Sequence, residues 1–250
     1  MKTIFLSFGG PSTNYHEAVE RITQQAREFD SLFDTVLKYT DLDLKNDAEF
    51  WSKHGAFLEN NQRGYGYWLW KSYLNYKTIS EADNDDIIIY VDAGCELFPE
   101  YKSRLEEYID MAKTNPHGIV AFSIPFPEGD YTKMDVAEHL DCHHHMDSDQ
   151  IIATTFIYRK CAHTENIMKQ WYDTCSIYHL LDDTPSSIHN RSPSHGWSFD
   201  SRHDQSIFSL LLKKYGCALL GYEVDPKERS PIIKMNNRTG IKSRICRDML

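Results

Sequence analysis

The sequence predicts an α/β protein, and three observations carry the prediction. Ile87 to Val91 is a continuous apolar, mostly β-branched run, the pattern of a strand covered on both faces in a parallel sheet. Thr3 to Phe8 reads as a strand, Tyr15 to Phe29 as a helix and Phe33 to Tyr39 as a second strand, the start of a doubly wound unit. The chain has 250 residues, 41% hydrophobic and 26% charged, enough for one large domain or two small ones.

Each element has its own justification. Thr3 to Phe8 leads into Gly9-Gly10-Pro11, a loop at the strand's carboxyl end. Within Tyr15 to Phe29, the residues Ala18, Val19, Ile22, Ala26 and Phe29 share one helical face, with Glu17, Glu20, Arg21 and Glu28 elsewhere. Asp41 to Asn61 is polar with aromatic insertions and reads as a short helix and loop. Arg63-Gly64-Tyr65-Gly66-Tyr67-Trp68-Leu69-Trp70-Lys71 follows; its glycines suggest a loop pressed against a ligand or another backbone, and Trp68 and Trp70 are assigned to the core. A helix then runs to Ile79, and Asp83 to Asp85 turn into the apolar strand, which ends on Asp92-Ala93-Gly94.

Pro99 to Thr114 reads as a helix with proline near its start. Gly118 to Ile124 is a strand closed by Pro125 and Pro127. Glu128 to Gln150 is irregular around a short helix, Met134 to Leu140, and Ile151 to Tyr158 is a further strand. Thr164 to Leu180 is a helix with Thr164 as its cap and Ile167, Met168, Trp171, Tyr172 and Cys175 inward. Leu181 to Asp200 is a long loop of the kind that is functional or mobile. Ser201 to Tyr215 is a helix that buries Ile207, Phe208, Leu210, Leu211 and Leu212 and stops at Gly216.

Charge and cysteine usage narrow the class. A net charge of -10 disfavours general nucleic-acid binding. The exception is Lys227 to Arg247, with seven positive residues against Glu228 alone. Such a segment could hold a phosphate-bearing ligand, touch an anionic membrane, or be a solvated tail. Six cysteines without a CxxC pair point to free thiols in a reducing compartment. The amino-terminal apolar stretch is too short for a signal peptide, and no run approaches the roughly 18 apolar residues of a membrane span. A cytoplasmic location is expected, with contact at the inner membrane face through the basic end.

Five clusters could carry chemistry. Asp92 stands where ligands bind in open α/β sheets, at a strand's carboxyl end. It is either a turn cap or a ligand-site carboxylate, in which case it could hold a divalent cation that bridges a diphosphate. Arg63 and Lys71 are either solvated charges or partners for phosphate oxygens. Thr132-Lys133-Met134-Asp135 is a polar patch suited to a hydroxyl-rich substrate. His203-Asp204-Gln205 opens a helix, where Asp204 is an N-cap or helps to orient an attacking hydroxyl. His143-His144-His145, flanked by Asp141 and Asp147, invites a metal, but consecutive residues rarely converge on one ion. No GxGxxG, Walker loop, GxSxG, HExxH or CxxC occurs, which removes the usual support for dehydrogenases, P-loop enzymes, serine hydrolases and zincins.

Taken together, Arg63 to Lys71, Asp92-Ala93-Gly94-Cys95-Glu96-Leu97, Thr132 to Asp135 and Arg202-His203-Asp204-Gln205-Ser206 resemble GT-A-fold glycosyltransferases of bacterial and viral surface polysaccharides. Tyr90-Val91-Asp92-Ala93-Gly94 is similar to the phrase that carries their DxD motif. The resemblance spans roughly Thr3 to Tyr222 and implies a GT-A-like (Rossmann-like) mixed, mostly parallel sheet flanked by helices. It implies a nucleotide-sugar-binding half over 1–125, an acceptor-binding half over 126–225 and a basic segment over 226–250. Transfer of a hexose from a nucleotide diphosphate sugar, a UDP-sugar foremost, to a glycan hydroxyl is the implied reaction. Ser7, Phe8, Arg63, Lys71, Asp92, Ala93 and Gly94 would bind the donor; Lys133, Asp135 and His203 the acceptor; Asp204 and Gln205 would be catalytic. The family's cofactor is Mn²⁺ or Mg²⁺, with Asp92 as the ligand here. Gly94 stands where the second motif Asp would be, so Glu96 or a histidine would complete the site, or Lys71, Arg63 or the basic segment would replace the metal. The rival readings are a non-catalytic glycan-binding protein on a degenerate fold and a metal phosphoesterase built on the histidines.

Overall fold

Strand β1 (Thr3–Gly9) opens the chain, and helix α1 (Thr13–Arg27) starts behind an N-cap in which Ser12 accepts from the Tyr15 amide. Strand β2 (Thr35–Thr40) follows, then α2 (Asp41–Asn46) and α3 (Ala48–Asn60). The stretch expected as one short helix and a loop is therefore two helices, split by Asp47, whose side chain caps the second by accepting from the Phe50 amide. Next come α4 (Gly64–Tyr67), α5 (Leu69–Glu81), β3 (Ile87–Val91), β4 (Cys95–Leu97), a 3₁₀ turn at Pro99–Tyr101, α6 (Lys102–Thr114) and β5 (Ile119–Pro127). The second half holds α7 (Glu128–Tyr131), α8 (Met134–Leu140), a 3₁₀ turn at His143–His145, β6 (Asp149–Ile151), β7 (Thr155–Arg159), α9 (Ala162–Cys175) and α10 (Tyr178–Leu181). It closes with α11 (Asp204–Tyr215), β8 (Ala218–Leu220) and β9 (Ile232–Lys234). The computed structural model describes residues 1–190, 200–224 and 230–234. The basic stretch from Lys227 to Arg247, apart from 230–234, and positions 191–199 of the long loop lie outside the described residues.

Seven strands form one sheet in the order β2-β1-β3-β7-β5-β6, with β8 also paired to β5. β1 is parallel to β2 and β3, and β5 is parallel to β8; β7 is antiparallel to β3 and β5, and β6 to β5. This is the expected mixed, mostly parallel sheet with helices on both faces. The apolar run explains the layering. Ile88 and Tyr90 face one core with Trp70, Phe156, Trp171 and Phe208, while Ile87, Ile89 and Val91 face the other with Val19, Ile22, Leu105 and Tyr108. Alternate residues of one strand thus close two cores, and each such side chain contributes roughly 1.5–3 kcal/mol by burial.

Four local expectations are corrected. Ile151 to Tyr158 is an interrupted strand, because β6 and β7 both pair with β5 but out of step. Between the pairs Val120–Ile157 and Ser123–Ile151, β5 advances by three residues and its partner by six; Ile152 N still donates to Phe122 O, and Ala153 and Thr154 bulge out. Pro125 does not close β5; the strand passes through it and ends at Pro127, with its register to β6 shifted between Ile124 and Pro127. The predicted Thr164–Leu180 helix is broken after Cys175, and Thr164 sits three residues inside it, its hydroxyl accepting from the Cys161 amide. Arg21, placed off the apolar face of its helix, is nevertheless buried, against the turn after β3.

Candidate ligand site

A cleft of ≈430 Å³ opens beside the carboxyl ends of β1 and β3. Phe8, Gly10, Pro11, Ser12 and Tyr15 form one wall; Gln62, Arg63, Gly64, Tyr65, Trp68 and Trp70 another; Asp92, Ala93, Gly94, Cys95 and Thr154 the floor. Its size and its apolar walls with few polar groups are those of a small-molecule site.

The glycine-rich segment forms the second wall through an uncommon backbone. Gly64, Tyr65, Gly66, Tyr67 and Trp68 have φ of 58°, 52°, 79°, 51° and 62°, a run of left-handed turn. Tyr67 N donates to Arg63 O and Trp68 N to Gly64 O, closing it. Each non-glycine residue in this region costs roughly 1–2 kcal/mol. Glycine is required at 64 for space as well, since a Cβ there would lie 2.5 Å from the Trp68 ring. The turn presents Tyr65 and Trp68 to the cleft and directs Trp70 under it, stacked on Phe8 at 3.9 Å with its indole N–H on Gly64 O. Trp70 is in the core as expected, yet both tryptophans also line the cleft.

The floor is held from below. Arg21, on α1, donates to Ala93 O at 2.7 Å and Cys95 O at 2.9 Å, fixing the turn that carries Asp92. Asp92 N donates to Thr154 O in the bulge at 2.8 Å. The Asp92 carboxylate accepts from the Tyr90 hydroxyl at 2.5 Å, and burial, reinforced by this carboxylate, raises the Tyr90 phenol well above its ordinary value.

Beneath Asp92 lies Lys71, 4% exposed rather than solvated. Its Nζ is 3.1 Å from Asp92 Oδ1, 3.5 Å from Asp92 Oδ2, 3.4 Å from Asp204 Oδ2 and 3.2 Å from Ala153 O. Burial works against the ammonium, but the two carboxylates outweigh it and raise its pKa. Asp204 is 3% exposed, behind Lys71 and off the cleft lining. Its Oδ2 makes this ion pair without a hydrogen bond of ordinary geometry. Burial pushes the Asp204 carboxyl up to about 7; Lys71 opposes the shift and Asp92 adds to it. Gln205 extends the group: its Oε1 accepts from Ala153 N at 3.3 Å and its Nε2 donates to Gln150 Oε1 at 2.8 Å.

The structure thus brings Lys71, Asp92, Asp204 and Gln205 together and puts Phe8, Arg63, Ala93 and Gly94 on the cleft. Ser7 is not on it; its hydroxyl donates to Val91 O and ties β1 to β3. Arg63 reaches Asp183 at 2.8 Å and Asp200 at 3.1 Å. Lys133 is buried on His179 O and Asp182, and burial lowers its pKa. Asp135 accepts from Ser187 and Ile188. These two side chains pin the loop after α10. His203 is buried, its Nδ1 on Leu181 O and its ring over Trp68, so it braces the glycine-rich turn. Among the described residues no group of three His, Cys, Asp or Glu side chains converges, and His143 pairs with Glu138 instead.

Mn²⁺ or Mg²⁺ at Asp92, implied by the resemblance, can be tested against these contacts. Asp92 is already met by an ammonium and a phenol, Gly94 offers no ligand, and Lys71 holds the space between the two carboxylates. The described residues do not fit a divalent ion.

Arg21 and the bulge were missed in the sequence. A buried arginine on an amphipathic helix has the same local pattern as a solvated one, and a bulge inside an apolar run leaves no periodic signal. No helix among the described residues is long and apolar enough to cross a membrane.

No protein-family model matches the sequence, and no curated protein aligns with it significantly. Solved structures that it resembles include a glycosyltransferase involved in the glycosylation of the major capsid of PBCV-1, at 11% identity and TM-score 0.46 over 94% of this chain and 93% of that one. Mouse xyloside xylosyltransferase 1 in its apo form is another, at 9% identity and TM-score 0.44 over 89% and 85%.

Proposed function

We propose that the protein is a glycosyltransferase that takes a hexose from a nucleotide diphosphate sugar, with a UDP-sugar as donor, and passes it to a glycan hydroxyl. The observation that supports this best is the cleft at the carboxyl ends of β1 and β3, walled by aromatic rings and floored by Asp92. Aromatic faces suit a nucleobase or a sugar ring. A partly exposed carboxylate held rigidly from below suits a ribose or sugar hydroxyl, which donates to it. Departure of the nucleoside diphosphate is the main development of charge, and fixed dipoles and cations around the cleft would stabilise it. Asp204 and Gln205 act here from behind the floor, by setting Lys71 and the bulge. The acceptor would enter from the side of α8 and the loop after α10, where Lys133 and Asp135 hold that loop in place.

Titration calorimetry with UDP and UDP-sugars tests the reading. Binding to the wild type is expected, with Asp92→Asn weakening it by roughly 10–100-fold, the worth of one or two charged hydrogen bonds. Release of nucleoside diphosphate from the donor, with and without a glycan acceptor, separates an enzyme from a glycan-binding module. Glycan binding with no nucleotide binding and no release would refute the proposal.

A further inference from the structure

We infer that Lys71 is a tethered cation that takes the position a divalent ion would hold between Asp92 and Asp204, so that the cleft binds a nucleoside diphosphate without metal. The nucleotide part of this inference rests on the function proposed above; the ion-replacement part does not.

Four oxygens surround Lys71 Nζ: both of Asp92, one of Asp204 and the carbonyl of Ala153, all between 3.1 and 3.5 Å. They come from three separate elements. Asp92 follows β3, Asp204 opens α11, and Ala153 belongs to the bulge between β6 and β7. Two carboxylates and a carbonyl converging on one point is the donor chemistry of a hard cation. An ammonium supplies the same sign of charge at longer contact distances and cannot be removed by chelation. Lys71 enters the cage from α5, whose first residue follows the left-handed turn directly. The strained wall of the cleft and the tethered cation are therefore set by one continuous segment. Gly94, two residues after Asp92, has no side chain with which to add a ligand for an ion.

Lys71 does not line the cleft, so it is a positioning residue: it holds Asp92 in place and offsets its charge. Asp92 then presents the ligand with a compensated acceptor rather than with half of a metal site.

Calorimetry on the full chain, with Mn²⁺ alone as probe, tests the replacement. The wild type is expected to show no uptake of Mn²⁺ that depends on Asp92, and Lys71→Ala is expected to take up one Mn²⁺ per chain, lost again when Asp92→Asn is added. UDP should bind the wild type equally well in EDTA and in Mn²⁺. The inference is overturned by Mn²⁺ uptake in the wild type that Asp92→Asn abolishes, or by a folded Lys71→Ala chain that takes none. It is also overturned by UDP binding that EDTA weakens by roughly tenfold or more. If Lys71→Ala does not fold, the two wild-type measurements decide. If UDP fails to bind under any condition, the proposed donor is wrong, and the Mn²⁺ titrations alone judge the role of Lys71.

Discussion

Two of the lysine–carboxylate clusters among the described residues are built differently. Glu128 is fully buried against Lys213, and every lone-pair direction is used: Oε1 accepts from Thr132 at 2.5 Å and Gln150 at 3.1 Å, Oε2 from Ser209 at 2.6 Å and Lys213 at 2.5 Å. There one cation meets one anion and hydrogen bonds satisfy the rest, which is the arrangement that makes a buried charge tolerable. Beneath the cleft, one cation meets two anions. Asp204 Oδ2 has no hydrogen bond of ordinary geometry, and Asp92 keeps part of its surface open to the cleft. Gln150 and Gln205 link the clusters through one amide pair. The saturated cluster serves the fold, whereas the undersatisfied one retains charge that a ligand can use.

Three substitutions sharpen that contrast. The largest effect is expected at the saturated cluster. Glu128→Ala leaves Lys213 without its buried partner and should cost about 3–5 kcal/mol in denaturant unfolding. Where the chain remains folded, its affinity for UDP should not change; a specific loss of affinity would erase the distinction between the clusters. Arg21→Met is the intermediate case. It strips donors from the Ala93 and Cys95 carbonyls and should cost about 1–3 kcal/mol. Unlike the Glu128 variant, it should also weaken UDP binding, because the Asp92 turn loses its support. Equal binding in this variant would mean that the turn keeps its shape without the guanidinium.

The third test is a pH dependence. Burial raises the folded-state carboxyl of Asp204 to about 7, against an ordinary value near 3.8. Between those values the folded chain holds more protons than the unfolded one, so this group's contribution to stability falls as pH rises from about 4 to 7. Asp204→Asn removes the dependence. The stability difference, variant minus wild type, should therefore grow across that window and level off above it. A flat difference would show that Asp204 titrates as an ordinary carboxyl and that the cluster is not undersatisfied.

Much of the site was legible because its residues lie at places where local rules are strict. A β-branched run that ends on Asp-Ala-Gly signals a buried strand and an acid at its carboxyl end, and Asp92 is found there. Gly64 and Gly66 signalled a special backbone, which proved to be a left-handed turn that also includes two tyrosines and a tryptophan. Lys71 was ambiguous, since nothing near it in sequence distinguishes a solvated lysine from one neutralised by acids 21 and 133 positions away. Lys133 and Asp135 were placed on the substrate for their polarity, but the fold had partners for them in a distant loop.

The sequence by itself determined the α/β class, the two-faced burial of β3, the apolar faces of α1, α9 and α11 and the position of Asp92. Each depends on periodicity or on a residue at the end of an element, and both are properties of short stretches. Only the tertiary structure decided that Lys71 is buried between two carboxylates, that Arg21 supports the floor of the cleft and that Ala153 and Thr154 leave the sheet to contribute carbonyls. These are long-range pairings of charges and backbone groups. Their energies depend on burial, and burial is set only when β3, α5, α11 and the β6–β7 bulge meet.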